Sequence, residues 1–202
     1  IRLFFTALTF YTRLPGMAVA DVTDSALSRA TRYFPLVGIV VGALAAAVFF
    51  GAQQLLPASV AVVLSMATSI WVTGAFHEDG LADTCDGLGG GWSKQDILRI
   101  MKDSRLGTYG VIGILLALLL KYNLLLSLPT HIVPLALITA HAVSRLVPVF
   151  VIARLEYVRP DDDSKARPVA YGIGPLQVII AAIFGLLPLL LLDPVLWGAL
   201  LA

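Results

Sequence analysis

The chain has 202 residues, of which 58% are hydrophobic and 13% charged, with a net charge of +1. Soluble domains carry about a quarter charged residues, so this composition points away from a soluble globular domain and toward a polytopic membrane bundle. The near-neutral balance gives no basic field for nucleic acid, and the single Cys85 excludes an internal disulfide and any Cys-rich zinc site.

In chain order, residues 1–11 are apolar and bounded by Arg2 and Arg13. They are too short to span a bilayer and read either as an interfacial helix or as the frayed end of a longer one. Arg13-Leu14-Pro15 breaks this run before any cleavage site, so no signal peptide is expected. Together with the polar stretch that follows, in which Thr23 is placed to cap a short helix, they form an N-terminal segment, 1–33. The first expected span is 34–52, with Pro35 at its start, where proline is tolerated. Gly38, Gly42 and Ala46 lie four apart, and such a small-residue stripe lets a second helix approach closely. The second expected span, 58–76, leads directly into Phe76-His77-Glu78-Asp79-Gly80-Leu81-Ala82-Asp83-Thr84-Cys85-Asp86-Gly87, which sets four carboxylates within nine positions. Residues 94–103 read as a short amphipathic helix with Ser93 as its N-cap and Asp96 three positions on. Further spans are expected at 109–128, at 132–153 and at 176–192, with a polar loop at 154–175. The apolar run 195–202 reads as the start of a sixth span cut short at the C-terminus. No repeat or separate soluble domain is visible, so residues 1–202 read as one all-α membrane domain.

The basic residues set the orientation. Apart from Lys121 and Arg145, which fall inside spans, all lie before the first span, between the second and third, or between the fourth and fifth. Five spans place these three segments on one face, which the positive-inside rule makes cytoplasmic. The acidic segment 77–108 shares that face.

Asp79, Asp83 and Asp86 are spaced i, i+4, i+7, one face of a helix. Three carboxylates there repel unless a cation sits among them. With Glu78 they are candidate oxygen ligands for Mg²⁺, which takes one or two carboxylates together with substrate phosphates. A solvated acidic loop is the plain alternative. His77-Glu78 lacks the second histidine of a zincin, because Leu81 stands where HExxH requires it. Cys85 reads as a packing residue, since its acidic neighbours disfavour a thiolate. Lys102, Asp103, Ser104 and Arg105 supply cations, a carboxylate and a hydroxyl suited to gripping phosphate. Lys102 and Ser104 are therefore candidate substrate contacts, and His77 is either another or an interfacial residue at the helix end. A charge inside a span is costly and faces a bundle interior. Arg145, with His141 one turn before it, is expected to line an interior polar pocket. Lys121 either does the same or snorkels.

The acidic segment and Met101-Lys102-Asp103-Ser104-Arg105-Leu106-Gly107-Thr108-Tyr109-Gly110 resemble the cobalamin synthase (adenosylcobinamide-GDP ribazoletransferase) family. Thr12-Arg13-Leu14-Pro15, Phe34-Pro35-Leu36-Val37-Gly38 and Ala142-Val143-Ser144-Arg145 extend the likeness along the whole chain. The resemblance implies an enzyme of the cell inner membrane that uses magnesium. It would join adenosylcobinamide-GDP to alpha-ribazole or its phosphate and release GMP. It puts Asp79, Asp83 and Asp86 on the metal. Arg105, Lys102 or Arg145 would then face the leaving group, and Asp103 or a clustered aspartate would take the hydroxyl proton. Membrane lipid surrounds such a chain, and homo-oligomer formation is compatible with the sequence. Two other classes fit the acidic cluster. A membrane CDP-alcohol phosphotransferase would want Arg where Thr84 stands. A cation-coupled transporter would place the carboxylates at mid-membrane.

Overall fold

The computed structural model describes residues 1–15, 23–158 and 173–192, and among these all regular structure is helical. Helices α1 (Arg2–Tyr11) and α2 (Asp24–Ala30) precede a 3₁₀ turn, Thr31–Tyr33, that runs into α3 (Phe34–Ala52). There follow α4 (Ala58–Thr73), α5 (Phe76–Gly90), α6 (Lys94–Ile100), α7 (Thr108–Ser127), α8 (Val133–Arg154) and α9 (Pro175–Leu186), which ends in a second 3₁₀ turn, Leu187–Leu191. Most of the 154–175 loop and the apolar run 195–202 lie outside the described residues.

The all-α membrane bundle expected from composition is the observed architecture, and the chain is a multi-pass membrane protein. Among the described residues fewer spans are found than expected: three helices are long and apolar enough to cross a membrane, namely the continuous segment Asp24–Ala52, α7 and α8. The pair α4–α5 makes a fourth only if counted as one span bent by 87°. The expected span 58–76 ends early, at Thr73, because Gly74 and Ala75 both adopt left-handed backbone, with φ of 64° and 59°. The Ala75 N–H donates to the Ile70 carbonyl and the Gly74 N–H to that of Trp71, a helix-terminating arrangement that satisfies carbonyls otherwise left without partners. The break is braced from outside. The Arg13 N–H donates to the Val72 carbonyl at 2.8 Å, and the Arg13 side chain lies against Gly74. Likewise, the expected span 176–192 is twelve residues of α-helix and then the 3₁₀ turn.

The centre of the bundle is the pairing of α3 with α8, the most extensive helix contact among the described residues. A Cβ at Gly38 would collide with the His141 carbonyl and with Arg145 Cδ, and one at Gly42 would meet Ile138 and Leu137. The small-residue stripe therefore sets the spacing of this antiparallel pair, as its spacing in sequence suggests. Helix α1 packs across the start of α3, where Tyr11 stacks on Phe34 with ring centroids 4.0 Å apart. Helix α7 buries little; its Leu115, Leu116, Leu119 and Leu120 are exposed. In a membrane chain such a face meets lipid tails, which are as apolar as leucine.

Candidate active site

The bend after α4 turns the acidic segment away from the axis of α4 and lays it along α7 and α6, its main partners. As expected, Asp79, Asp83 and Asp86 sit on one helix, but their surroundings differ. Asp79 is exposed and Asp83 half-buried, whereas Asp86 is 9% exposed. Asp86 Oδ2 accepts the Gly107 N–H at 2.7 Å, and Oδ1 accepts the Gly110 N–H at 2.8 Å. Gly107 is the N-cap of α7. A helix start leaves N–H groups without partners and favours negative charge. Asp86 meets both needs from another helix. The two glycines are required by this contact, since a Cβ at either would run into the Asp86 carboxylate. Cys85 packs against Gly113 of α7, in keeping with a packing role.

Helix α6 begins as the sequence predicts. Ser93 Oγ accepts the Asp96 N–H at 3.1 Å and donates to Asp96 Oδ2 at 2.7 Å. Between α6 and α7 the chain folds over an open cleft of about 310 Å³ lined by Asp86, Arg99, Asp103, Arg105, Thr108 and Tyr109, among others. Within it Arg105 grips the Asp103 carboxylate with Nε at 3.1 Å and Nη2 at 2.6 Å, while its backbone N–H donates to Oδ1 at 3.1 Å. These bonds, led by those from the side chain, hold the Asp103 carboxyl down at about 2. A carboxylate so stabilised is a weak proton acceptor. It poses the guanidinium instead. Lys102 and Ser104 are exposed on the same loop.

A second polar group lies inside the bundle. Arg145 is only 3% exposed. Its Nη1 donates to His141 Nδ1 at 2.9 Å and to the His141 carbonyl at 3.0 Å. The expectation that this arginine avoids lipid is met. His77, at the start of α5, is half-buried, with its ring centroid 6.1 Å from that of Phe34. Phe34 is one turn before Gly38, which touches His141 and Arg145, so α3 brings His77 and Arg145 to adjacent turns. Glu78 is half-buried with its Oε2 fully buried, and its charge is near enough to act on both Arg145 and Lys121.

The donor set can be weighed for magnesium. Among the described residues no three His, Cys, Asp or Glu side chains are gathered closely enough to hold an ion by themselves. Both Asp86 oxygens are engaged by backbone, and Glu78 has one carboxylate oxygen buried. Asp79 and Asp83 lie on successive turns of one face of α5. Two carboxylates completed by substrate phosphate is an ordinary magnesium mode, so the residues fit the ion in that form.

Sequence reasoning placed the acidic face, the Arg105 loop and the buried arginine. It did not anticipate the tie between Asp86 and the start of α7. The signal available was a glycine pair, Gly107 and Gly110, bracketing a helix start that has no capping side chain of its own.

The profile of the family described as cobalamin-5-phosphate synthase matches residues 3–202. Three relatives bear the name adenosylcobinamide-GDP ribazoletransferase: those of Shewanella oneidensis (strain ATCC 700550 / JCM 31522 / CIP 106686 / LMG 19005 / NCIMB 14063 / MR-1), Shewanella sp. (strain ANA-3) and Shewanella baltica (strain OS185). Each is 49% identical over 197 residues, covering 95% of this chain and 74% of the relative. No solved structure gives a significant match. With nearly the whole chain matched, including both polar groups just described, the chain belongs to the cobalamin-5-phosphate synthase family.

Proposed function

We propose that the chain joins adenosylcobinamide-GDP to alpha-ribazole, or to its phosphate, and releases GMP at the cytoplasmic face of the inner membrane. The relatives' names supply the reaction. The observation that carries it to particular residues is the acidic face of α5 set beside the Arg105 loop at one end of a membrane bundle. In the reaction a ribose hydroxyl oxygen attacks the phosphorus nearer the corrinoid. The bond from that phosphorus to the bridging oxygen breaks, GMP departs with the bridging oxygen, and the hydroxyl proton passes to solvent water in the open cleft.

Such transfers depend mainly on positioning and on countering phosphate charge. Asp79 and Asp83 would hold magnesium, whose chemistry there is neutralisation of the diphosphate. Asp86 fixes the start of α7 and with it the floor of the cleft. Asp103 orients Arg105, whose planar fork suits the departing GMP phosphate, and Lys102 adds a second cation on the same loop. Ser104 offers a hydroxyl there, while His77 sits where α5 meets the bundle interior. The basic segments flanking the spans support the cytoplasmic orientation.

The test uses the full chain in liposomes with adenosylcobinamide-GDP, alpha-ribazole phosphate and magnesium. The expected result is GMP and a new corrinoid in equal amounts, both abolished by chelation. GMP release without a corrinoid product, or neither, would contradict the reading.

A further inference from the structure

We propose that Arg145, His141 and Lys121 form a metal-independent phosphate-binding site inside the bundle, distinct from the acidic face of α5. It deepens the reading above and rests on it for the substrate concerned.

Arg145 always donates, so the 2.9 Å contact with His141 Nδ1 makes that nitrogen the acceptor. The His141 proton then sits on Nε2. His141 Nε2 and Arg145 Nη2 are both buried, and neither has a hydrogen-bond partner among the described residues. Two N–H donors on successive turns of α8 are thus left for the same ligand. A buried guanidinium that keeps one nitrogen without a partner carries a substantial desolvation cost. An anion with several oxygens removes it.

Lys121, half-buried on α7, and Arg145 on α8 both lie within reach of the charge of Glu78. Two cations to one carboxylate leave this part of the bundle positive. Gly38 fixes the position of α8 here, because it holds α3 against His141 and Arg145 with no room for a Cβ. The planar fork of arginine beside an imidazole N–H matches tetrahedral phosphate oxygens. Glu78 Oε2, also buried and without a partner among the described residues, adds an acceptor for a ligand hydroxyl. Phosphate next to a hydroxyl is the chemistry of a ribose phosphate or of a phosphorylated alcohol, and both proposed substrates contain it.

The direct probe is inorganic phosphate, titrated calorimetrically into the full chain in detergent with EDTA present. Wild type should bind saturably. Arg145→Lys and His141→Gln should each weaken binding about tenfold, the loss expected for one charge-assisted hydrogen bond. Lys121→Gln should weaken it too, without touching the α3–α8 contact, and so serves if the α8 variants fail to fold. Lys94→Gln, the same charge change at an exposed position, should have no effect. Absence of phosphate binding in wild type, or wild-type binding in Lys121→Gln together with any folded α8 variant, would overturn the site. Steady-state KM values identify the source of the phosphate. A rise confined to the phosphorylated acceptor assigns the site to its phosphomonoester, and a rise for the GDP-activated donor with either acceptor assigns it to the diphosphate. Unchanged KM for all three substrates would refute a substrate site. If wild type binds phosphate in this pattern but transfers nothing, the reaction is misread and the anion site stands.

Discussion

Replacing Asp86 by Asn separates a structural carboxylate from a metal ligand, because the two roles predict opposite signs. Asp86 accepts backbone N–H groups at 2.7 and 2.8 Å and is 9% exposed. A hydrogen bond to a charged group is worth about 1.5–3 kcal/mol net. Negative charge at a helix start adds about 0.3–1 kcal/mol. Asn keeps one carbonyl oxygen, so it preserves one bond in weakened form. Its amide points N–H at N–H in place of the other. The expected cost is about 2–4 kcal/mol, which lowers Tm by roughly 5–15 °C for a chain of this size. Melting is followed in detergent with EDTA, where no ion contributes. Asp79→Asn, at an exposed position, should stay within about 0.5 kcal/mol of wild type. Gly110→Ala should also destabilise, since its Cβ would strike the same carboxylate. Combined with Asp86→Asn it should cost less than the sum, as expected of groups in contact. If Asp86 serves only as one of three repelling carboxylates, Asn in EDTA relieves repulsion. An Asp86→Asn protein as stable as wild type, or more stable, would refute the structural tie.

Gly38→Ala should destabilise by about 1–3 kcal/mol through overpacking against His141 and Arg145, read as a fall in Tm, whereas Gly51→Ala, with open space around it, should not. Ala75→Gly should hold or raise Tm, because the left-handed φ of 59° strains alanine by about 1–2 kcal/mol against a smaller entropic cost of glycine. A clear fall would mean the bend does not depend on backbone strain at this residue. In intact cells a cysteine at position 54 should react with a membrane-impermeant thiol reagent from the periplasm and one at 94 should not, in a background where Cys85 is replaced. Reaction at 94 would reverse the orientation.

Much of this fold was legible because membrane spans are written in hydropathy. Helices α7 and α8 begin and end within a residue of their expected bounds, since Gly107 and Leu128-Pro129 or Arg154 interrupt the apolar runs. The bend at Gly74-Ala75 was not legible. Hydropathy continues through it to Phe76, and a glycine in a helix reads the same as one with positive φ. The acidic face was legible from spacing alone, but spacing says nothing about what the face meets. Asp86 finds partners 21 and 24 residues away, a contact made only by packing α5 on α7. The burial of Arg145 followed from the cost of charge in lipid. Its bond to His141 followed from their one-turn separation, whereas the arrival of Glu78 depends on the bend that the sequence hid.

The most direct measurement is the rate of GMP release by Asp83→Asn as magnesium is varied, at matched amounts of folded protein and with both substrates saturating for wild type. Removing one of two metal-binding carboxylates while keeping side-chain size should lower the rate by orders of magnitude and shift the magnesium dependence to higher concentration. An Asp83→Asn protein with the wild-type rate and magnesium response would contradict the placement of the reaction on the acidic face of α5.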